Sequence, residues 1–542
     1  MAKTYLAANP THKLLILDQQ SRIGGFWAAN SAPPLSLPLL GTFELSDFPL
    51  SSPTLKPNDL IPANEIQSYL SRLAAHYALT PRISLQHRVH YATRQADDTW
   101  SLSITDLPRA VTKNLKTRRL ILATSPASVP MSPPSLRGTS DFNKPIFHTS
   151  AFASHPPPSL SPEPIAVLGC FRDAWPVVAA YASSGKPVYW ILGRNAKPDA
   201  WIAARVGPRG ADAEDLAMTR GAGNFSPCLW RQADGYEHKP ARSQSGIGKW
   251  ATGKVWDGVA KDVAAAYEGD PDLEKLRPQY PPFWTGAPPV EAGCIPALVK
   301  AGTIRVFDTY AVGLSQGTIH LAAHAGAVPI SAVCYAGTTG GLNIPFSPSP
   351  TSRTLGIPFR GPAPRTEMHS TLDTTLKSRF PSLIATCPAP PPPTHESTKS
   401  WSLFRFVVPA GTSPSVAFVG MVGVARESVV AEAQALWVTA WFDNTEFVGM
   451  REHQRREEAA LWARFGVWRY PGSGAGREQR VPEFYANTLA YVERLLGDVG
   501  VRTRRKGGFA EVTEAYGPKD YKGVLEEFLA VREKRMKRRK SQ

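Results

Sequence analysis

Between Ile165 and Leu192 the sequence spells one complete parallel β-α-β unit, and that unit restricts the fold more than any other feature. Ile165-Ala166-Val167-Leu168-Gly169 is a continuous apolar run closed by glycine, Ala174–Ser183 reads as a helix, and Val188-Tyr189-Trp190-Ile191-Leu192 is a second apolar run. Strands buried on both faces lose the in–out alternation of half-exposed ones, so unbroken apolar runs point to a parallel sheet covered by helices. The same grammar opens the chain. Met1–Ala8 reads as the last turns of a helix stopped at Asn9-Pro10, and Lys13-Leu14-Leu15-Ile16-Leu17 is a short strand ending in Asp18.

Further elements follow in order. Residues 60–79 carry a helical stripe of Ile66, Tyr69, Leu70, Leu73 and Tyr77, and Arg119–Ala123 is another buried-strand candidate. Val129–Pro134 reads as a Pro-rich loop, and Ser154–Pro164 is stiff and Pro-rich, so a boundary is placed there. From about 203 to 289 the chain is rich in Gly, Pro and Trp and is read as an irregular insertion. Thr303–Phe307 and Ile319–Ala322 read as strands returning to the main body, then Ser331–Tyr335, Phe404–Val408 and Val416–Val419 as further strands. Glu427–Phe442 and Leu525–Arg539 read as helices. No internal repeat is present. The expected organisation is residues 1–160 as the first part of one unit, 161–310 as a second unit carrying the insertion, 311–530 as the return to the first unit with a helical region, and 531–542 as a basic tail.

Several function classes are excluded or weakened. The formal net charge of +16 suggests nucleic acid, but seven basic residues from Arg532 to Lys540, opposed only by Glu533, concentrate much of it in a tail expected to be solvated and disordered. The rest is spread over a large body without aromatic–basic interleaving, so no nucleic-acid partner is expected. No uninterrupted apolar stretch reaches about 18 residues, so no transmembrane helix is expected. No secretory leader is evident, and a cytoplasmic location is expected, with the basic tail as a feature able to redirect it. Cys170, Cys228, Cys294, Cys334 and Cys387 form neither a CxxC pair nor a metal-like spacing, so no metal site is expected.

In a dinucleotide-binding unit the second strand ends in an acid that bonds the ribose hydroxyls, and Asp18 stands at such a point. Gly24-Gly25 lets backbone approach a ligand closely, and Trp27 adds a flat apolar face. Then come Ser46-Asp47-Phe48-Pro49, the strand end Leu122-Ala123-Thr124, and Phe142-x-Lys144-x-x-x-His148-x-x-x-Phe152. After the second β-α-β unit follow Tyr335-Ala336-Gly337-Thr338, Phe418-Val419-Gly420, and a helix with Glu432, Gln434 and Trp437. Taken in this order, over nearly the whole chain, these residues resemble the flavin-containing monooxygenase family, including its relatives in fungal secondary metabolism. Tyr491, Leu495, Leu496, Tyr516, Tyr521 and Glu527 add to the resemblance to that fungal branch.

The resemblance implies an α/β fold with two Rossmann-like dinucleotide-binding domains, the NADPH domain inserted in a discontinuous FAD domain. It implies FAD at Asp18, Gly24, Gly25, Trp27, Ala123, Thr124, Gly337 and Gly420. It implies NADPH at Gly169, Arg172, Ala174 and Arg194, with Phe142, His148 and Phe152 as the fingerprint. His148 is expected to fix the linker between domains, and Arg194 to meet the 2′-phosphate, supported by Asn195 and Lys197. The implied activity is oxygenation of a small organic molecule at N, S or C with NADPH and O2, through a flavin hydroperoxide, as in the N,N-dimethylaniline monooxygenases. Phe152 stands where ring-oxygen-inserting Baeyer–Villiger relatives usually carry Trp. No side chain is assigned as a catalytic acid or base, and oligomeric state is unread.

The pattern departs from the family at several points. The second Gly loop is Gly169-Cys170-Phe171-Arg172-Asp173-Ala174, with Phe171 at the middle glycine position and Asp173 beside the phosphate site. Ser125 and Lys144 replace two further glycines. The first FAD-domain strand and its Gly loop should precede the helix ending at Ala8, so the chain is expected to start within that domain and to hold flavin poorly. The alternative to an active enzyme is a catalytically silent descendant that keeps the fold as a binding protein.

Overall fold

The computed structural model describes residues 1–29, 38–57, 59–124, 132–157, 160–194, 196–198, 200–202, 213–230, 246–286, 289–290, 293–322, 327–337, 346–347, 351–357, 366–388, 401–411, 414–471 and 482–540. Its clearest element is a five-stranded, wholly parallel sheet. Strand order is Ile304–Phe307, Val188–Ile191, Ile165–Leu168, Ala332–Tyr335, Ile146–His148. Ile165 sits opposite Val188 and Leu168 opposite Ile191, so the two apolar runs pair along their length. The Ala174–Ser183 helix covers one face, where Trp175 packs edge-on against Trp190 at 4.9 Å. The other face rests on an antiparallel layer of Ala311–Ser315, Thr318–Leu321 and Ala327–Pro329, with Phe142, Leu314, Ile319 and Leu321 in its core.

This sheet reaches past the boundaries expected at 161 and 310. Ile146–His148 forms one edge, and Ala332–Tyr335 lies between it and Ile165–Leu168. Ile304–Phe307 forms the other edge, inside the expected 161–310 unit and not as a strand returning to the main body.

The other unit is built from short parallel pairs. Ile16–Leu17 pairs with Ile83–Ser84, and Leu120–Leu122 pairs with Val416–Phe418. Beside them an antiparallel sheet of His87–Arg94, Trp100–Asp106 and Val111–Thr117 is joined by Phe346–Ser347. The Ala2–Ala8 helix packs against the buried Glu427–Asp443 helix. There Lys3 pairs with Asp47 and with Glu432, the latter at 3.3 Å, while Ser46 gives its backbone N–H and hydroxyl to Glu432. Burial pushes the Glu432 carboxyl above its ordinary pKa, and Lys3 opposes that shift.

Three readings of the chain are corrected. The insertion is not irregular: it holds a 20-residue helix, Gly246–Ala265, and shorter helices at Ala213–Ala217, Arg220–Gly223 and Pro271–Lys275. Nor does it belong to one unit. Met218, Cys228 and Trp230 enter the core of the C-terminal helices, whereas Val263, Tyr267, Leu273 and Leu276 enter the core of the five-stranded sheet. Phe404–Val408 is not one strand but a tight antiparallel pair, Leu403–Phe404 with Val408–Pro409, turned by Arg405 and Phe406 at φ +54° and +56°. The helix expected at Leu525–Arg539 is present as Val524–Lys540, and it takes in the basic residues expected to be disordered, anchored where Arg532 bonds Asp443 at 2.6 Å, the Ala8 carbonyl at 2.6 Å and Asn9 at 2.9 Å.

Candidate functional site at the strand ends

Asp18 follows Ile16–Leu17, and its carboxylate accepts the Gln20 backbone N–H at 2.8 Å, an Asx turn that bends the chain off the strand. Gly24 and Gly25 follow with φ of +132° and +53°. A Cβ on Gly24 would meet Ala28 at 3.0 Å, whereas one on Gly25 would meet nothing within 4 Å. Gly25 therefore combines a left-handed backbone with open space. Trp27 lies in the Phe26–Ala29 turn of helix and packs edge-on against Phe43 at 6.4 Å.

The neighbouring strand ends repeat this arrangement. Gly420, just past Val416–Phe418, has φ +70° and open space where a Cβ would be. Its N–H donates to Gln434 Oε1 at 2.9 Å, Gln434 donates to the Tyr491 hydroxyl at 3.0 Å, and that hydroxyl donates to the Arg405 carbonyl at 2.7 Å. Gln434 thus holds the strand end from inside the core. Across the pair, Ala123 is exposed, and the buried Thr124 hydroxyl has no hydrogen-bond partner. A buried hydroxyl without a partner is uncommon and marks a place where a ligand atom would be accommodated.

At the second sheet, Gly169 adopts φ +105°, and a Cβ there would press on the Ala336 carbonyl at 3.3 Å. Ala174, in the first turn of the helix, is fully buried. Arg172 and Arg194 are exposed, and Arg194 lies over the Tyr310 ring at 5.4 Å. Lys197 pairs with Asp308 at 3.3 Å. Phe171 is half-buried against the sheet core. Ser125, Asn195 and Thr338 lie outside the described residues.

Asp173 does not face an incoming phosphate as a bare charge. Its Oδ2 accepts the Thr149 hydroxyl at 2.6 Å and the Gly337 N–H at 2.9 Å. His148 completes the junction. Its Nδ1 accepts the Ser150 backbone N–H at 3.1 Å, which requires that nitrogen to be bare, so a neutral ring carries its proton on Nε2 and donates to the Gly337 carbonyl at 2.7 Å. One glycine is therefore held through both backbone groups, by the linker and by the second Gly loop. Phe142 is buried with the antiparallel layer, and Phe152 packs edge-on on Tyr181 at 5.2 Å.

Sequence reasoning passed over Thr149 and Glu427. Glu427 opens the Glu427–Asp443 helix, with its side chain exposed. Desolvation raises its pKa and the nearby Arg172 charge opposes that rise, which brings the helix start toward the second Gly loop. An acid at the first turn of a strong helix was the one available signal. Among the described residues no cluster able to hold a metal is present, and no helix is long and apolar enough to cross a membrane.

No protein-family model matches the chain. It is 26% identical over 563 residues to the FAD-dependent monooxygenase DEP4 of Alternaria brassicicola, covering 98% of this chain and 93% of that protein. It is 25% identical over 576 residues to the FAD-dependent monooxygenase resA of Aspergillus sclerotiorum, covering 98% and 96%. Among solved structures it is similar to OTEMO in complex with FAD and NADP, with a TM-score of 0.57, 16% identity, and coverage of 91% of this chain and 94% of that one. The fold is that of the two-domain flavoprotein monooxygenases. Within that class the chain is similar over nearly its whole length to fungal FAD-dependent monooxygenases.

Proposed function

We propose that this protein is an FAD- and NADPH-dependent monooxygenase that oxygenates a small organic molecule with O2. The observation that carries the reading is the near-full-length likeness to fungal FAD-dependent monooxygenases. The strand ends fit the cofactors on independent grounds. Gly25 and Gly420 leave open, left-handed backbone just past two separate strand pairs, and the Thr124 hydroxyl is buried without a partner; these, with Asp18, Gly24, Trp27, Ala123 and Gly337, are the proposed FAD contacts. Gly169, Ala174, Arg172 and Arg194 are the proposed NADPH contacts. The Asp173 charge is already taken up by Thr149 and Gly337, which leaves the two arginines to set the local field.

When bound, FAD supplies the redox and oxygen-transfer chemistry, and NADPH supplies the hydride. The protein's part is to bind, orient and exclude water. Arg172 and Arg194 hold phosphate groups, Gln434 fixes Gly420, and His148 and Asp173 fix Gly337 between the units. Protein supplied with FAD should show the absorption of bound flavin and should turn NADPH over catalytically only when O2 is present. NADPH oxidation unaffected by removing O2 would defeat the reading.

Arg194→Ala is expected to raise the KM for NADPH by about tenfold or more, the loss of one charge-assisted hydrogen bond. The KM for NADH should barely move. Equal losses with both cofactors would remove the 2′-phosphate role.

A further inference from the structure

Arg469 ends the Glu452–Arg469 helix and is fully buried, yet among the described residues it has no counter-charge. A buried guanidinium ordinarily bonds a carboxylate, because desolvating an ionised group is costly unless it is paired. Here Nε and Nη1 have no hydrogen-bond partner, and Nη2 reaches only the Ser226 hydroxyl at a long 3.4 Å. Among the described residues no carboxylate pairs with it; what surrounds it is aromatic. Phe283 lies 4.1 Å, Tyr470 4.7 Å and Trp256 5.9 Å from the guanidinium carbon, ring centroid to atom.

Cation–π contact and the negative end of its own helix offset part of the burial cost, but neither supplies an acceptor along the N–H directions. Desolvation accordingly lowers the Arg469 pKa. A second unfilled group stands nearby: Asn487 donates to the Tyr470 hydroxyl at 3.1 Å and to the Pro227 carbonyl at 3.0 Å, while its own Oδ1 has no donor. Trp256 and Phe283 are half-buried, so the approach to the guanidinium runs past their rings. The site joins the insertion to the C-terminal helices, and Asn487 caps the same helix that carries Tyr491, which bonds Gln434 and through it the Gly420 strand end.

We propose that Arg469 is the anion-recognition residue of a substrate site, and that the molecule oxygenated is an organic acid with an apolar body. Its carboxylate or enolate accepts from the open Nη1–H and the adjacent Nη2–H, a two-point geometry that suits a guanidinium, and leaves Nε–H to a second acceptor. Its body lies against Trp256 and Phe283, and a hydroxyl or N–H on it donates to Asn487 Oδ1. This assignment of substrate class rests on the monooxygenase reading, but anion binding at Arg469 does not require turnover.

The test is calorimetric titration of the purified protein with benzoate, its neutral isostere benzamide, and inorganic phosphate. Benzoate should bind saturably, benzamide at least tenfold more weakly, and phosphate more weakly than benzoate because it lacks the apolar body. R469M should lose benzoate binding, R469K should keep a weakened form, and W256L should weaken it while leaving the preference over benzamide. Benzoate should also raise the melting temperature of the native protein but not of R469M, whose own melting temperature should be no lower, since an unpaired buried charge has been removed. Equal binding of benzoate and benzamide overturns the proposal, as does undiminished benzoate binding by R469M. Phosphate binding as tightly as benzoate would show a generic anion site instead. If R469M does not fold, the native-protein comparison of benzoate with benzamide and the W256L titration decide the matter. Benzoate binding without oxygenase activity would sink the enzyme reading and leave the site standing; activity without benzoate binding would do the reverse.

Discussion

Replacing Asp173 with alanine is expected to lower the unfolding free energy by about 3 kcal/mol, from two lost hydrogen bonds to a carboxylate and one stranded donor. The carboxylate joins three segments distant in sequence: the Thr149 hydroxyl on the linker, the Gly337 N–H at the end of Ala332–Tyr335, and its own helix start. Gly337 is buried, so its N–H would lose its partner without gaining full access to water. Asp173→Asn keeps an acceptor oxygen but not the charge and should cost about half as much. The measurement is the shift in urea midpoint at unchanged slope. NADPH oxidation should fall in parallel, because Gly337 and the second Gly loop shift together. The sequence alone favours the opposite outcome, a charge beside a phosphate whose removal tightens NADPH binding. Tighter binding at unchanged stability would show that Asp173 is a burden and not a clasp.

Trp437→Ala should cost more, about 4 kcal/mol. Trp437 is wholly buried in the Glu427–Asp443 helix, stacked on Trp441 at 5.3 Å and 14° and edge-on to Phe404 and Phe447. Its indole N–H donates to Asp498 at 3.0 Å, the same carboxylate that holds Arg405 at 2.7 Å. Alanine leaves a ring-sized cavity and takes one partner from Asp498. Trp437→Phe keeps most of the stack and loses only the donor, so about 1 kcal/mol is expected. A phenylalanine variant as unstable as the alanine one would place the energy in the Asp498 bond rather than in packing.

What the sequence revealed and what it hid have physical reasons. The buried parallel strands were legible because Ile165–Leu168, Val188–Ile191 and Val416–Phe418 are apolar on both faces, and few other elements produce such runs. The helix Gly246–Ala265 was hidden by Gly246, Gly248, Gly253 and Gly258, which lower helix propensity, and by an exposed Trp250 that breaks the apolar stripe. Val111–Thr117 is mostly exposed and carries little alternation, so its sheet left no pattern to read. Arg405 and Phe406 hid a hairpin because tight turns with positive φ usually announce themselves by Gly or Asn, and here burial and the ion pairs of Arg405 impose the backbone instead. At the candidate site the glycines and the arginines could be named in advance. The partner of Asp173 and the solitude of Arg469 could not, since both depend on residues far away in the chain.

The pairing of Leu120–Leu122 with Val416–Phe418 sets a timetable for synthesis. A ribosome adding roughly 5–20 residues per second needs on the order of 15–60 seconds to make the intervening stretch of about 300 residues. During that interval the earlier strand waits with its backbone unmatched, while Ile146–His148 and Ala332–Tyr335 enclose the second sheet and let it close on its own. The nascent chain should therefore carry a finished inner body and an unfinished outer one. Chaperone occupancy should concentrate on the first 120 residues until translation passes 418.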